Sequence, residues 1–195
     1  MPDDGSPTDP GAIDPWGAPP PAPLGSAAAG QAVSDIAAPV LAGFVVTLIG
    51  VVAQNPESFL LPGLAIVVML VAMIAFVVSV TCGFRARQFL WTRADLLAWY
   101  DGPIAAALDG AYRAMHRRDI ATWARWRARV SASYNVGIVA LFLGVALVCL
   151  PPARYGGEPV SGTEAVLRYV AGTLAAGAGV GELFWWVYRR RRTVA

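Results

Sequence analysis

The chain has 195 residues, of which 56% are hydrophobic and 14% are charged. Soluble domains carry roughly 25% charged residues, so this composition excludes an ordinary soluble protein and indicates a membrane protein. The formal net charge is only +2. All fifteen basic residues are arginines, and they are unevenly distributed along the chain.

The N-terminal segment, residues 1–33, is predicted to be a disordered cytoplasmic tail. It is rich in proline, alanine, glycine and aspartate, and such a composition cannot bury enough apolar surface to order the chain. The stretch Ala18–Pro23 favours local polyproline II structure. It is interpreted as solvated chain rather than as a ligand for a proline-recognising domain, because no basic residue flanks a PxxP core.

The remainder, residues 34–195, is predicted to be one all-α membrane domain with four transmembrane helices. A bilayer core about 30 Å thick needs roughly 20 apolar residues in a helix. None of the apolar runs shows the alternation of a membrane β-strand, and lipid then leaves only the helix. The predicted spans are residues 36–53, 59–83, 136–150 and 166–188.

Each span has a boundary signal. Serine or threonine at the start of a helix accepts a backbone N–H, and proline is tolerated in the first turn but stops a helix that reaches it. The signals are Ser34-Asp35 before the first span, Pro62 in the first turn of the second, Pro151-Pro152 after the third, and a capping box at Ser161–Glu164 before the fourth.

The arginines predict the orientation. Nine lie between Arg85 and Arg129 and four at Arg189–Arg192, whereas only Arg154 and Arg168 lie at the other ends of the spans. Arginine accumulates in cytoplasmic segments of membrane proteins. The sequence therefore predicts a multi-pass protein of a bacterial plasma membrane, with both termini and the inner loop 84–135 in the cytoplasm.

The inner loop is predicted to form an amphipathic helical hairpin. Thr92–Asp95 is a capping box that opens a short helix through Tyr100, and Asp101-Gly102-Pro103 breaks the chain. The second helix is expected to continue into the third span. Its apolar stripe consists of Leu108, Tyr112, Met115, Trp123, Trp126, Val130 and Tyr134, with Asp119 as an exception, and Arg113, Arg117, Arg125 and Arg129 lie on the opposite side.

This second helix has two interpretations. Trp123 and Trp126 beside arginines are typical of a helix that contacts anionic lipid headgroups. Alternatively, the stripe packs against Leu96, Leu97 and Trp99 of the first helix. We favour packing, because those residues offer an apolar partner surface.

Glu182 is the candidate polar site within the membrane. It lies six residues before Tyr188, hence about 9 Å from the inner end of the fourth span, where a carboxylate is costly unless it is paired or neutral. It is a candidate for binding a proton or cation, or for accepting from Arg85 or Arg87. A structural role is favoured, because one acid without other buried polar groups makes a poor transport path.

Small residues predict close helix packing within the four-span domain, with a homodimer seam as the alternative. Glycine lets helix backbones approach closely in lipid. The candidate glycines are Gly43 and Gly50 in the first span, Gly137 and Gly144 in the third, and Gly177 and Gly181 in the fourth.

No motif with a specific chemistry is present, so no catalytic residue, cofactor or metal site is predicted. Cys82 and Cys149 lie at opposite ends of their spans, too far apart for a disulfide. His116 and Asp119 alone do not make a metal site. Nucleic acid is not an expected partner; the expected partners are the lipid bilayer, anionic headgroups or a protein.

The stretch Cys82–Leu90, continuing through Thr92–Leu96 to Trp99, resembles one found in small actinobacterial integral membrane proteins. Those proteins have a proline-rich leader, two spans, a basic inner loop and two further spans. The resemblance implies the same four-span architecture and carries over no catalytic residue or substrate. The sequence thus predicts a non-enzymatic interaction or structural protein, with a small transport or channel subunit that uses Glu182 as the alternative.

Overall fold

The computed structural model describes residues 26–90, 109–152, 154–155, 158–159 and 161–192. The predicted short helix at residues 92–100, and with it the helical hairpin, lies outside these residues. Apart from short connections, the described chain is helical, with one 3₁₀ turn at Pro56–Ser58 and one two-residue antiparallel pairing of Arg154–Tyr155 with Glu158–Pro159. The helices are α1 (Ser26–Ala32), a π-helical segment (Val33–Ala37), α2 (Ala38–Gln54), α3 (Pro62–Arg87), α4 (Asp109–Cys149) and α5 (Gly162–Arg192).

Four helical stretches are long and apolar enough to cross a membrane, which confirms the predicted number of spans. Their apolar side chains remain largely uncovered by protein; Leu174 is 71% exposed and Phe184 is 74% exposed. Apolar surfaces this extensive are rare on proteins in water and are what lipid-facing helices present. The stretches are Ala29–Gln54, Pro62–Arg87, Gly110–Cys149 and Gly162–Tyr188.

The first helix begins at Ser26, so the predicted start at residue 36 and the assignment of residues 26–33 to the tail are wrong. Alanine-rich α1 has high helix propensity, and it lies against α4. A π-helical segment then joins α1 to α2 without a break. Folding onto α4 supplies the tertiary contacts that the composition of the tail alone does not reveal.

Ser34 is consequently not a helix cap. It is buried within the π-helical segment, and its hydroxyl lies 3.3 Å from the carbonyl oxygen of Gly30 and 3.2 Å from that of Gln31. Ser34 packs directly against Gly83 of α3. A Cβ atom at position 83 would lie 2.6 Å from the Ser34 hydroxyl oxygen. Only glycine at position 83 permits this approach.

The other boundary signals are better matched. Pro62 lies in the first turn of α3 as predicted, but the helix runs from Pro62 to Arg87 and not from residue 59 to residue 83. Before α5, the N–H of Glu164 donates to the Ser161 hydroxyl at 3.3 Å, which is the first half of the predicted capping box. The Glu164 carboxylate does not close the second half, because it accepts from Arg168, one turn further along, with a nitrogen–oxygen distance of 2.9 Å.

α4 confirms that the second loop helix continues into the third span. It runs for 41 residues and contains neither proline nor any π or 3₁₀ turn. At 1.5 Å per residue it is about 60 Å long, roughly twice the thickness of the bilayer core. About half of α4 therefore lies outside the hydrocarbon.

The membrane helices form an open layer rather than a closed bundle. α2 packs on α3, α3 on α4, and α4 on α5; contact between other pairs of these helices is slight in the described residues. The buried core lies between α2, α3 and α4 and includes Val45, Val52, Met69 and Phe76. Among the described helices, α5 lies at the edge of the layer and has α4 as its one substantial neighbour.

Candidate functional site

The arginine-bearing side of the layer, which we call the basic end, is where α3 finishes at Arg87 and α5 finishes at Arg192. A buried hydrogen bond between α3 and α4 shows how the two helices are aligned along their axes. The Ser79 hydroxyl of α3 donates to the carbonyl oxygen of Val130 of α4 at 3.2 Å. Residues of α4 as far back as Trp123 lie beside the end of α3. Residues before Trp123 extend past the basic end, and residues after Val130 run back into the layer.

Trp126 of α4 lies between two guanidinium groups at the basic end. The Arg129 guanidinium is 4.6 Å from the ring centroid and that of Arg85, from α3, is 5.4 Å away. Cation–π attraction of this kind contributes about 0.5–1 kcal/mol at exposed sites. The half-buried ring thereby holds one exposed positive charge from each of two helices.

Trp123 packs inward, against the N-terminal extension and the end of α3. It borders a small cavity together with Gly30, Ala86 and Leu90, and its ring carries the Arg127 guanidinium at 5.3 Å. The described partners of Trp123 are therefore α1 and α3, and the predicted packing against the first loop helix stays a prediction. The originally expected partners Leu96, Leu97 and Trp99 lie outside the described residues.

Arg87 forms an ion pair with Asp35 of the π-helical segment. Both side chains are about 40% exposed, so solvent weakens the pair and it contributes at most about 1 kcal/mol. Its main consequence is positional, since it ties the N-terminal helix to the end of α3. The sequence singled out Asp35 only as part of a cap, because its partner is 52 residues away.

The arginine side of α4 is exposed as predicted. Arg117 and Arg125 lie along the helix surface, their Nε atoms each donating to the backbone carbonyl four residues earlier at 3.4 Å. On the stripe side Val130 is buried, but Met115 is exposed, because it lies beyond the point where described helices cover α4. The exposed arginines are Arg113, Arg117, Arg118, Arg125 and Arg129.

Glu182 is half-buried in α5 and near enough to Tyr134 of α4 to interact with it electrostatically. The suggested pairing with Arg85 or Arg87 is not formed, since Arg85 lies on Trp126 and Arg87 is paired with Asp35. Glu182 makes no ion pair with any residue that the structure describes.

The candidate glycines divide into two groups. A Cβ at Gly137 would lie 2.7 Å from the Phe76 ring, and one at Gly144 would lie 2.7 Å from Met69 Cγ, so both pack as predicted. A Cβ at Gly43, Gly50, Gly177 or Gly181 would meet no atom within 4 Å. For those four the prediction of packing within the domain is wrong, because an open layer leaves the outer faces of α2 and α5 uncovered.

Sequence reasoning missed two further close contacts. A Cβ at Gly179 would lie 3.1 Å from Phe142 Cβ, and one at Gly172 would lie 3.3 Å from the Ala146 carbonyl oxygen. These glycines, rather than Gly177 and Gly181, face α4. The spacing of small residues in a sequence predicts that they share one face of a helix. It does not predict which face of that helix contacts the neighbouring helix.

Metal chemistry has no support in the described residues, among which no group of three or more His, Cys, Asp or Glu side chains is placed to hold an ion. Cys82 and Cys149 are free thiols. No protein-family model matches the chain, and neither a curated protein nor a solved structure shows a match. The four apolar helices define the chain as a multi-pass helical membrane protein.

Proposed function

We propose that this chain is a non-enzymatic protein of a bacterial plasma membrane that presents the extramembrane half of α4 to an acidic surface of a cytoplasmic partner protein. The observation that carries the proposal is the uninterrupted helix itself. Its first 20 or so residues bear the exposed arginines named above, with Asp119 as the one acid after the first residue, Asp109.

The continuity of α4 favours a partner in the aqueous phase over the membrane surface. A helix that lies in the headgroup region has its axis in the membrane plane. The extramembrane half of α4 instead continues the axis of a span, which carries Arg113 and Arg117 away from the bilayer. From Arg129, near the middle of α4, to Arg117 the rise is about 18 Å, beyond a Debye length of about 8 Å at physiological salt.

The test is site-specific photo-crosslinking in native membranes. A photoreactive amino acid at position 117 should capture a discrete partner protein, and the same group at exposed Leu167, at the opposite end of the layer, should not. Adding Arg113→Glu and Arg118→Glu to the position-117 probe should abolish the adduct. An adduct that persists after this charge reversal, or no protein adduct at native abundance, would contradict the proposal.

A transport subunit is the second candidate, supported by the half-buried carboxyl of Glu182 near the Tyr134 hydroxyl. Purified protein in liposomes should then carry a proton or cation flux that Glu182→Gln removes. Tyr169→Phe, a substitution of equal size on an exposed face of the same helix, serves as the control. Equal flux for wild type and Glu182→Gln would eliminate this candidate.

A further inference from the structure

A crevice of about 310 Å³ runs along one face of the layer, between α3 and α5 and over α4. It exists because α3 and α5 both pack on α4 but not substantially on each other. Its exposed wall is apolar, and one buried water needs only about 10–15 Å³ measured in this way. The crevice therefore has room for a large apolar group. Its walls include Val67 and Val71 of α3, Val139 and Leu143 of α4, and Leu183 and Trp186 of α5.

The same face of α4 carries a positive charge beyond the end of the crevice, in the direction of the basic end. Arg129, Val136 and Leu143 are spaced seven residues apart, and a helix turns only about 20° from its starting face in seven residues. Val136 and Leu143 line the crevice, so Arg129 lies on the same face, about 10 Å further along the axis. Its guanidinium is exposed and is held against Trp126.

An apolar crevice within the membrane, with a guanidinium about 10 Å beyond it on the same helix face, matches the two parts of a phospholipid. A second copy of this chain matches less well. If copies insert in the same orientation, they share the level of their basic ends, so a second copy in the crevice would bring further arginines towards Arg85 and Arg129. An anionic headgroup neutralises that charge instead, and basic pockets between membrane helices bind such headgroups.

We propose that this crevice holds one anionic phospholipid, with an acyl chain against Val139 and Leu143 and its phosphate on Arg129. The lipid belongs to the leaflet at the basic end. The site goes beyond the proposed partner surface. The two share Arg129, but the partner surface is tested at positions 113, 117 and 118, further from the membrane, so failure of one proposal can be distinguished from failure of the other.

The test is native mass spectrometry of the full chain released from nanodiscs that contain equal amounts of phosphatidylglycerol and phosphatidylcholine. Wild type should retain one phosphatidylglycerol. Arg129→Gln should reduce its occupancy about fivefold, the effect of losing roughly one cation at a membrane surface. Arg117→Gln, the same change on the same helix but far from the crevice, should leave the occupancy unchanged.

A second variant tests the acyl-chain part of the site. Val139→Trp fills the crevice and should displace the lipid, and Leu183→Trp does so from the opposite wall if the first substitution impairs folding. Equal retention of both lipids, or occupancy unaffected by Arg129→Gln and by the filling variant, would overturn the proposal. So would a dimer peak that disappears on filling the crevice, since a second copy would then be the occupant.

Discussion

Two glycines of α4 mark the closest approaches between α3 and α4. At Gly137 and Gly144 a methyl group would meet Phe76 and Met69, both fully buried. Neither neighbour has room to retreat, since interiors are close-packed. The helix interface therefore depends on the absence of two side chains as much as on the presence of others.

We expect Gly137→Ala and Gly144→Ala each to lower the free energy of unfolding by about 1–3 kcal/mol, the usual cost of overpacking. Gly177→Ala and Gly43→Ala are matched controls, because a methyl group there meets nothing. Thermal unfolding in mild detergent measures the difference. Equal loss of stability in both pairs would mean that the open faces of α2 and α5 are covered by a partner helix.

A second expectation at the residue scale concerns the pair of guanidinium groups on Trp126. Trp126→Leu keeps an apolar side chain but removes the ring on which Arg85 and Arg129 lie. The substitution should lower the free energy of unfolding by about 1–2 kcal/mol through the loss of two cation–π contacts, in addition to the effect of the smaller buried apolar area. A double-mutant cycle with Arg85→Gln isolates the contact between the helices; a coupling energy of zero would show that the contact contributes nothing to stability.

At the scale of elements, the number of spans was predictable but the start of the first was not. Hydropathy identifies a run of apolar residues without any knowledge of its neighbours. Asp35 looked like the start of a helix because a charge rarely lies inside one that enters a membrane. Its partner Arg87 comes from the end of another helix, and Ser34 fits only because position 83 is glycine. Both are tertiary contacts between residues that are far apart in the sequence.

The continuity of α4 leads to a distance measurement. With Cys82 and Cys149 replaced by alanine, spin labels at exposed Ala114 and Val136 are separated by 22 residues, or about 33 Å between α-carbons. One narrow distribution near that value is expected. Ala128→Pro should broaden and shorten it, because an interior proline kinks a helix and costs about 3 kcal/mol. A short, broad distribution in the unmodified helix would instead indicate a bend at the membrane surface.

At the scale of the whole molecule, orientation is the next quantity to measure. If the basic end is cytoplasmic, a cysteine at position 117 should react with a membrane-impermeant maleimide only after cells are permeabilised. A cysteine at exposed Thr163, at the other end of the layer, should react in intact cells. The opposite pattern would place the arginines outside, and the proposed cytoplasmic partner would have to be abandoned.

The candidate site was predictable only in part, for a related reason. The arginine side of α4 follows from helical periodicity within one segment. The crevice exists because α3 and α5 both pack on α4 without packing on each other. The periodicity of a single helix cannot predict such an arrangement of three helices. The sequence identifies Glu182 as an isolated charge within a span, whereas its proximity to Tyr134 depends on the rotation of α5 relative to α4.

The open layer also bears on the order in which the molecule is assembled. Among described residues, the buried core and the side chains packed around it come from α2, α3 and α4 and from the short connection between α2 and α3. That core is complete before α5 emerges from the ribosome, since chains fold from the N-terminus during synthesis. We therefore expect α5 to pack last, onto a core that has already formed. Residues 1–160 alone should then remain folded in detergent. Aggregation of that fragment would show that α5 is needed earlier.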